Sequence, residues 1–424
     1  MDKIYLLDFV KEKFKSDPVL FDALKYEFDR RIYHYGDQFK HPFNINSKNI
    51  SQNLRRILKR GYLISKIIST SNKSICKPRI LSSAYFTLNS ELSEMGYEVF
   101  CPTWSLTKGK NVFPDLELYE GAHKIETILR RASFNYLLSD NFKVEVEKFK
   151  KQLTLSLKKH EVKAVIVAND LGFFENMLID VCKQIKIPSM IFLHGLPGRY
   201  NSIDDNKTDY LIVWGEKIKQ NYIDYGFNPD KIIVSGHPYY KKFKPGALAF
   251  SLDNILVLTK PMCGGQHSDK VRLTDRGNAI LYLLSIEKVL RRFGVKSVRM
   301  RSHPSENSEW YYKYIDKNFF RTDSRELHTS INDSSLVLGP TSTVFLESIY
   351  NFKNYVVYEP VKNGVDLFGY ELIPPFDKKD TRVPIAINEI ELSEIIEKRL
   401  TVKSEVFCDY IKIPFDLNEI NELI

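Results

Sequence analysis

Two short motifs in the second half of the chain carry residue types that suit phosphate binding. Arg301-Ser302-His303-Pro304 closes the run Val298–Arg301, which predicts a strand. Thr341-Ser342-Thr343 follows a second predicted strand, Leu336–Leu338, and opens a predicted helix. Backbone N–H groups at a helix start, together with hydroxyls and an imidazole, can hold an anion. Because ligands of doubly wound sheets bind beyond the carboxyl ends of the strands, both motifs are predicted to line one site.

Three further polar groups lie in the first half. Asp170 follows the apolar run Ala164–Ala168, and His194 with Gly195 follows Ser189–Leu193. Glu120 and His123 have the spacing that puts a carboxylate and an imidazole on one helix face. Each group also has a structural interpretation, since Asp170 could cap the next helix and His194 could belong to a plain turn. The same holds for the second half, where His303 could be a buried histidine and Ser342 a helix cap.

Short apolar runs alternate with amphipathic helices along most of the chain, which predicts parallel sheets covered on both faces. Helices are predicted first, over Asp2–Lys15, Val19–Arg31 and Ile50–Thr70. The alternation pauses at residues 241–251, which contain Pro245 and Gly246. The sequence therefore predicts an α/β protein with two Rossmann-like domains facing across a cleft. The predicted parts are a helical extension over 1–75, a first domain over 76–245, a second over 246–405, and a segment, 406–424, that returns to the first domain.

Length and composition bound the class of protein. A chain of 424 residues exceeds one ordinary core, and 43% hydrophobic with 13% aromatic residues is typical of a globular protein. No apolar run approaches the ~20 residues that span a bilayer, and the N-terminus does not resemble a signal peptide. The five cysteines are scattered without a C-x-x-C pair. This predicts reduced thiols in a cytoplasmic protein and no zinc site.

The net charge of +9 is unevenly spread. Ser51–Arg79 holds eight Lys and Arg residues and no acidic residue, with apolar residues at near-helical spacing. A basic amphipathic helix of this kind can lie on an anionic membrane or hold a polyanion, and the alternative is a helix packed on the first domain. Nucleic acid is not predicted as a partner, because no helix-turn-helix, RNP or zinc-finger pattern accompanies the charge.

Two Rossmann-like domains with a donor-rich second half resemble the GT-B glycosyltransferases. The segments Asp209–Glu216 and Tyr225–Pro238 resemble the close of the first domain in enzymes of bacterial surface-polysaccharide assembly. His303-Pro304 and Thr341-Ser342-Thr343 resemble the HP and Ser/Thr motifs of bacterial transferases that use CMP-activated sugars. These include sialyltransferases, polysialyltransferases and β-Kdo transferases, and a similar pair occurs in CDP-glycerol phosphotransferases. The resemblance covers roughly residues 160–360.

The resemblance implies that His303 and the Ser/Thr turn hold the phosphate of a cytidine nucleotide. Hydrogen-bond donors can neutralise one phosphate without a divalent metal, and the chain contains no D-x-D triplet. No metal and no other cofactor is therefore expected. Other polar residues are expected to support donor binding. Arg301 and Lys260 would contact the phosphate, and Glu347 would accept from cytidine or ribose hydroxyls. Arg199 would pair with the sugar carboxylate, and the stretch Lys260–Gln266 would wrap the nucleotide.

Two reactions are compatible with these residues. Resemblance to the retaining β-Kdo transferases implies that Asp170 attacks the anomeric carbon, with Glu120 and His123 stabilising the intermediate and handling the acceptor proton. Resemblance to sialyltransferases implies an inverting reaction in which Asp170 or His123 is the general base.

The leading hypothesis is a transferase that moves Kdo, in preference to sialic acid, from its CMP form to a glycan in capsule, O-antigen or lipooligosaccharide synthesis. The alternatives are a sialyl- or polysialyltransferase, a CDP-alditol phosphotransferase, and a non-catalytic glycan-binding subunit of the same fold. A lipid-linked acceptor would place the enzyme at the inner face of the cytoplasmic membrane, bound through Ser51–Arg79.

Overall fold

The structure is a computed structural model that describes residues 11–33, 50–71, 77–84, 88–105, 111–200, 205–260, 277–304, 306, 308–366 and 371–424. Most of the helix predicted over Asp2–Lys15 lies outside these residues, as does the stretch predicted to wrap the nucleotide after Lys260.

Twelve strands in the described part of the chain form two sheets of six. The first sheet contains β1 (Arg79–Ser82), β2 (Glu98–Phe100), β3 (Val162–Val167), β4 (Ser189–Phe192), β5 (Tyr210–Val213) and β6 (Ile232–Val234), in the order β2-β1-β3-β4-β5-β6. The second contains β7 (Ile255–Leu258), β8 (Val298–Arg301), β9 (Phe320–Thr322), β10 (Leu336–Gly339), β11 (Tyr355–Tyr358) and β12 (Ile385–Ala386), in the order β12-β11-β10-β7-β8-β9. Neighbouring strands are parallel throughout. The predicted α/β architecture of two Rossmann-like domains is therefore confirmed.

Helices connect the strands and cover the sheets. In the first half they are α1 (Pro18–Tyr33), α2 (Ile50–Ser71), α3 (Leu88–Glu94), α4 (Leu116–Arg131), α5 (Phe134–Leu137), α6 (Asp140–Lys159), α7 (Phe173–Ile185) and α8 (Glu216–Asp224). In the second half they are α9 (Gly277–Arg292), α10 (Ser308–Tyr311), α11 (Leu327–Asn332), α12 (Val344–Tyr350), α13 (Glu389–Glu397), α14 (Val406–Tyr410) and α15 (Asn418–Glu422). Capping side chains fix several of these starts, such as Asp115 before α4 and Ser139 before α6.

The central strands are apolar runs because both of their faces are buried. Every residue of β4, β7, β10 and β11 is buried. One apolar cluster fills the first domain and continues onto one face of the second sheet, and another covers the opposite face of the second sheet. The two rigid sheets fix the positions of the loops at their carboxyl ends.

The chain returns to the first sheet after α14. The backbone N–H groups of Lys412 and Asp416 donate to the carbonyls of Trp214 and Ser235, 2.7 and 2.8 Å away. Gly215 and Gly236 permit this approach, since a Cβ atom at either position would lie 2.3 or 2.4 Å from the returning backbone. The boundaries predicted for the four parts of the chain stay a prediction.

Candidate functional site

Loops from the two domains meet at the carboxyl ends of their sheets. The backbone N–H of Leu196, in the loop after β4, donates to the hydroxyl oxygen of Thr343, after β10, over 2.8 Å. Gly195 makes the approach possible, because a Cβ atom there would lie 2.7 Å from the same oxygen. This contact defines the cleft and brings the His194 loop of the first domain against the Ser/Thr turn of the second.

A buried carboxylate holds the His303 loop in place. The backbone N–H of His303 lies 3.1 Å from both Thr259 Oγ1 and Glu306 Oε2, and the N–H of Glu306 donates back to the His303 carbonyl over 2.9 Å. Glu306 also accepts hydrogen bonds from Thr259 and from the Tyr311 hydroxyl. The network leaves His303 and Pro304 exposed at the end of β8. Glu306 was missed in the sequence, although its position three residues after His303 is the spacing of a capping box.

His303 keeps exposed surface, but partial burial of its imidazole lowers the pKa of His303 below its ordinary value of 6.5. The lowered pKa favours the neutral ring, which carries a proton on one nitrogen and is a hydrogen-bond donor there. An anion bound beside the ring would raise this pKa again and favour proton uptake on binding. Such a side chain suits a phosphate group.

The Ser/Thr turn lies in front of α12 rather than inside it. The helix that these three residues are predicted to open begins at Val344 and has seven residues, so its dipole is a small part of any anion site. Ser342 Oγ accepts from the Val344 N–H over 3.2 Å, as a cap, whereas Thr343 makes no side-chain cap bond. Both side chains are half-buried in the cleft. Their hydroxyl and backbone donors are the groups that a phosphate would contact.

Lys260 and Thr341 point to acidic residues. Lys260 Nζ lies 2.6 Å from Glu359 Oε2 and 3.2 Å from Asp366 Oδ2. Thr341 donates to the same Glu359 oxygen through its N–H and its hydroxyl, both over 2.9 Å. The structure therefore puts the two residues in a buried charged cluster beside the turn, and the Lys260 charge predicted to meet a phosphate is shared between two carboxylates.

Arg301 and Glu347 lie in one patch with His328, close enough for the charges of Arg301 and His328 to affect Glu347. Arg301 donates to the carbonyl of Arg325. Burial raises the pKa of Glu347, while the nearby charges of His328 and Arg301 act in the opposite direction. The Tyr239 hydroxyl lies 3.3 Å from His328 Nδ1 and links this patch to the first domain. Arg301 thus makes its hydrogen bond within the protein, and Glu347 lies close to charged protein groups.

His194 is exposed in the cleft, and its Nδ1 lies 3.0 Å from the carbonyl oxygen of Ala168. A carbonyl oxygen only accepts, so Nδ1 is the donor in this contact and Nε2 is the ring nitrogen that can act as an acceptor. The end of β3 thereby orients the imidazole at the surface of the cleft. Arg199 lies half-buried further along the same loop.

Asp170 is completely buried. Its carboxylate accepts hydrogen bonds from the backbone N–H groups of Asp205, Asn206 and Lys207, over 3.2, 3.1 and 3.1 Å. Asp170 does not make the helix cap predicted as its alternative role, because the cap residue of α7 is Gly172 and no side chain caps this helix. Asn169 accepts hydrogen bonds from the Leu171 and Gly172 N–H groups in the turn before the helix. A nucleophile or base must reach its substrate, and these contacts turn Asp170 inward to hold the loop before β5. The geometry of this structure therefore does not favour either catalytic role predicted for Asp170.

Glu120 and His123 lie on the outer surface of α4, away from the cleft contact. Both Glu120 oxygens accept from Arg60 of α2 over 2.9 Å. His123 stacks on Tyr119 at 6.3 Å between ring centroids. Within the described part of the chain, no contact of either residue reaches Asp170, His194 or the second domain. The helix face predicted from their spacing exists, but the structure does not bring the pair to the site.

In the described part of the chain, no three His, Cys, Asp or Glu side chains come together closely enough to hold a metal ion. No helix there is both long and apolar enough to cross a membrane.

The two sheets and the cleft between their carboxyl ends are the GT-B arrangement. No family model and no curated protein matches the chain. Similar solved structures include UDP-GlcNAc 2-epimerase from Neisseria meningitidis bound to UDP-GlcNAc, at 11% identity and a TM-score of 0.45, covering 81% of this chain and 98% of that one. Acinetobacter baumannii MurG matches at 11% identity and a TM-score of 0.43, covering 82% and 99%. The lipopolysaccharide outer core galactosyltransferase WaaB matches at 11% and 0.43, covering 82% and 98%. The fold assignment itself follows from the strand order and pairing of the two sheets.

Proposed function

We propose that the chain is a glycosyltransferase that moves a sugar acid, Kdo in preference to sialic acid, from its CMP-activated form to a glycan. The observation that carries this proposal is the contact between Leu196 and Thr343. It sets an oriented histidine of one domain, His194, against the donor-rich turn of the other. The ends of β10 and β8 are two strands apart, about 10 Å, with β7 between them. A phosphate seated between these ends can therefore be reached by Ser342 and Thr343 from one side and by His303 from the other.

The same residues suggest an inverting reaction. Nε2 of His194 takes the proton of the acceptor hydroxyl as its oxygen attacks the anomeric carbon. The bond between that carbon and the phosphate oxygen breaks, and CMP leaves with the electron pair. His303, Ser342 and Thr343 donate hydrogen bonds to the phosphate as its charge grows. Each step uses residues that lie at this cleft, and none requires a metal ion.

Donor class is tested by incubating purified protein with CMP-Kdo, CMP-sialic acid or CDP-glycerol and measuring released CMP. We expect turnover of CMP-Kdo, and a His303→Ala variant should bind CMP at least about tenfold more weakly because a charge-assisted hydrogen bond is lost. The control is Asn318→Ala, at an exposed residue between α10 and β9 in the same domain. Turnover of CDP-glycerol alone would replace the proposal by an alditol phosphotransferase. CMP binding with no turnover of any donor would support a non-catalytic subunit.

We further propose that α2 binds an anionic membrane. Three large apolar side chains on it, Leu58, Tyr62 and Ile68, are 64, 58 and 51% exposed. Another side of the same helix packs against the first domain, where Ile67 contacts Val112 and Tyr119. The helix thus combines a packed side with an exposed apolar surface and a basic sequence, which is the composition of an interfacial helix.

Changing Arg55, Arg56 and Lys59 to Gln is expected to weaken binding to phosphatidylglycerol vesicles about 100-fold, since each basic group near an anionic surface contributes about 1 kcal/mol. Arg60 is left unchanged because it holds Glu120. Vesicle co-sedimentation measures the effect. In the control variant, Lys148, Lys151 and Lys158 of α6 are changed to Gln, which removes the same number of charges from another helix. Equal loss in both variants would show a general charge effect and remove α2 as the binding surface.

A further inference from the structure

Glu359, which directly follows β11, is a buried carboxylate with two unequal oxygens. It has no exposed surface. Its Oε2 accepts three hydrogen bonds, from Lys260 Nζ over 2.6 Å and from the N–H and hydroxyl of Thr341 over 2.9 Å each. Its Oε1 is buried and has no hydrogen-bond partner among the described residues. Leaving such an atom unpaired is costly, so a buried carboxylate oxygen of this kind calls for a partner from elsewhere.

Glu306, a second buried carboxylate at the carboxyl ends of the same sheet, shows that the protein can satisfy such a group here. Glu306 Oε2 accepts from His303 and Thr259, and its Oε1 accepts from Tyr311. Both oxygens of Glu306 are therefore used inside the protein. The lack of a hydrogen-bond partner for Oε1 is therefore specific to Glu359, since Glu306, another buried acid of this domain, has partners for both oxygens.

The surroundings of Glu359 indicate what kind of group its Oε1 would accept from. Thr341 is the residue before the Ser342-Thr343 turn, so Glu359 lies directly beside the groups assigned to the phosphate. Among the described residues, Lys260 joins two carboxylates in this cluster, Glu359 and Asp366. A buried carboxylate oxygen accepts hydrogen bonds and repels a second anionic group, so the partner of Oε1 must be a donor. The part of a nucleotide that continues from the phosphate and offers neutral hydrogen-bond donors is the nucleoside.

We propose that Glu359 determines the base specificity of the donor nucleotide, with Oε1 accepting a hydrogen bond from the 4-amino group of cytosine. This inference rests on the proposed function. An ionised carboxylate is an acceptor only, and an amino group is its complement. Uracil carries a carbonyl oxygen at the same position, and two acceptors would then face each other in a buried site. Glu359 would thus select cytidine nucleotides and reject uridine nucleotides.

The three donors around Oε2 fix the orientation that a glutamine side chain would take at position 359, which makes the proposal testable. In a Glu359→Gln variant, the amide oxygen takes the place of Oε2, because Lys260 and Thr341 can only be satisfied there by an acceptor. The amide NH2 must then occupy the position of Oε1. A donor replaces the acceptor that faces the base, and the variant should prefer uracil to cytosine.

The experiment measures CMP and UMP affinity by calorimetry in the wild type, Glu359→Gln and Glu306→Gln. We expect the wild type to prefer CMP by about tenfold or more, and Glu359→Gln to reverse the order. Glu306→Gln makes the same chemical change at a carboxylate with both oxygens paired, so it should weaken both nucleotides and keep their ratio. Glu359→Asp, which keeps the charge and withdraws the oxygens, should lower CMP affinity without improving UMP. Thermal unfolding of each variant confirms that it is folded.

Other outcomes separate this inference from the function on which it rests. If the wild type binds CMP and UMP equally and Glu359→Gln weakens both, Oε1 contacts the ribose and base selection by Glu359 is wrong. In that case 2′-deoxy-CMP and 3′-deoxy-CMP identify the hydroxyl. If CMP binds tightly but independently of His303, the phosphate assignment fails. If neither nucleotide binds the wild type, the proposed function and the role of Glu359 fail together.

Discussion

A His194→Asn variant is expected to lose about 10²–10⁴-fold in kcat, with CMP affinity close to that of the wild type. The asparagine side chain can still donate to the Ala168 carbonyl, which Nδ1 of His194 approaches to 3.0 Å. It has no nitrogen that can take a proton from an acceptor hydroxyl. The change therefore removes the base and keeps the hydrogen bond that orients it. Steady-state kinetics at saturating donor measure the loss.

Comparison of kcat with CMP affinity separates a base from a merely structural histidine. A base acts in the chemical step, so its loss lowers kcat and leaves CMP affinity in place. If the variant keeps wild-type kcat, or if CMP affinity falls as much as turnover, His194 is not the base and acts on the donor side of the cleft.

An Asp170→Asn variant is expected to be about 3 kcal/mol less stable than the wild type. The buried carboxylate accepts from three backbone N–H groups of residues 205–207, and an amide would turn a donor toward at least one of them. Urea unfolding measures the difference. Asp224→Asn, at an exposed aspartate on α8, is the control and should change stability by less than about 0.5 kcal/mol.

The same variant distinguishes the retaining reaction, with Asp170 as nucleophile, from the inverting reaction. If Asp170 only supports the loop, the folded fraction of Asp170→Asn should retain turnover in proportion to its amount. Mass spectra of the wild type with CMP-Kdo should then show no sugar adduct. A sugar-sized adduct mapped to residue 170 would establish the retaining mechanism and contradict the supporting role.

The sheets could be predicted because their strands are unambiguous in sequence. Runs such as Ile255–Leu258 and Tyr355–Tyr358 are apolar, β-branched or aromatic, and bounded by polar residues, and the structure has the same bounds. The short strands Phe320–Thr322 and Ile385–Ala386 were not foreseen, since two or three residues carry no periodicity. Strand ends also predicted the edge at which His194, His303 and Thr343 lie, because parallel strands share a carboxyl end.

The direction in which polar side chains turn could not be predicted. Asp170 and His194 both follow a strand, yet one is enclosed by backbone N–H groups and the other is exposed. Lys260 was assigned to phosphate as a free cation, but two acids far along the chain hold it. Such outcomes depend on partners that are distant in sequence, and local spacing contains no information about them.

The return of the chain to the first sheet has a consequence for how the protein is made. The carbonyls of Trp214 and Ser235, at the ends of β5 and β6, are satisfied by the N–H groups of Lys412 and Asp416. Those residues are synthesised after all six strands of the second sheet. During translation, the first domain therefore stays incomplete, with these carbonyls without their native partners, while the second domain is synthesised and can already collapse. The domain that comes first in sequence is the one that is completed last.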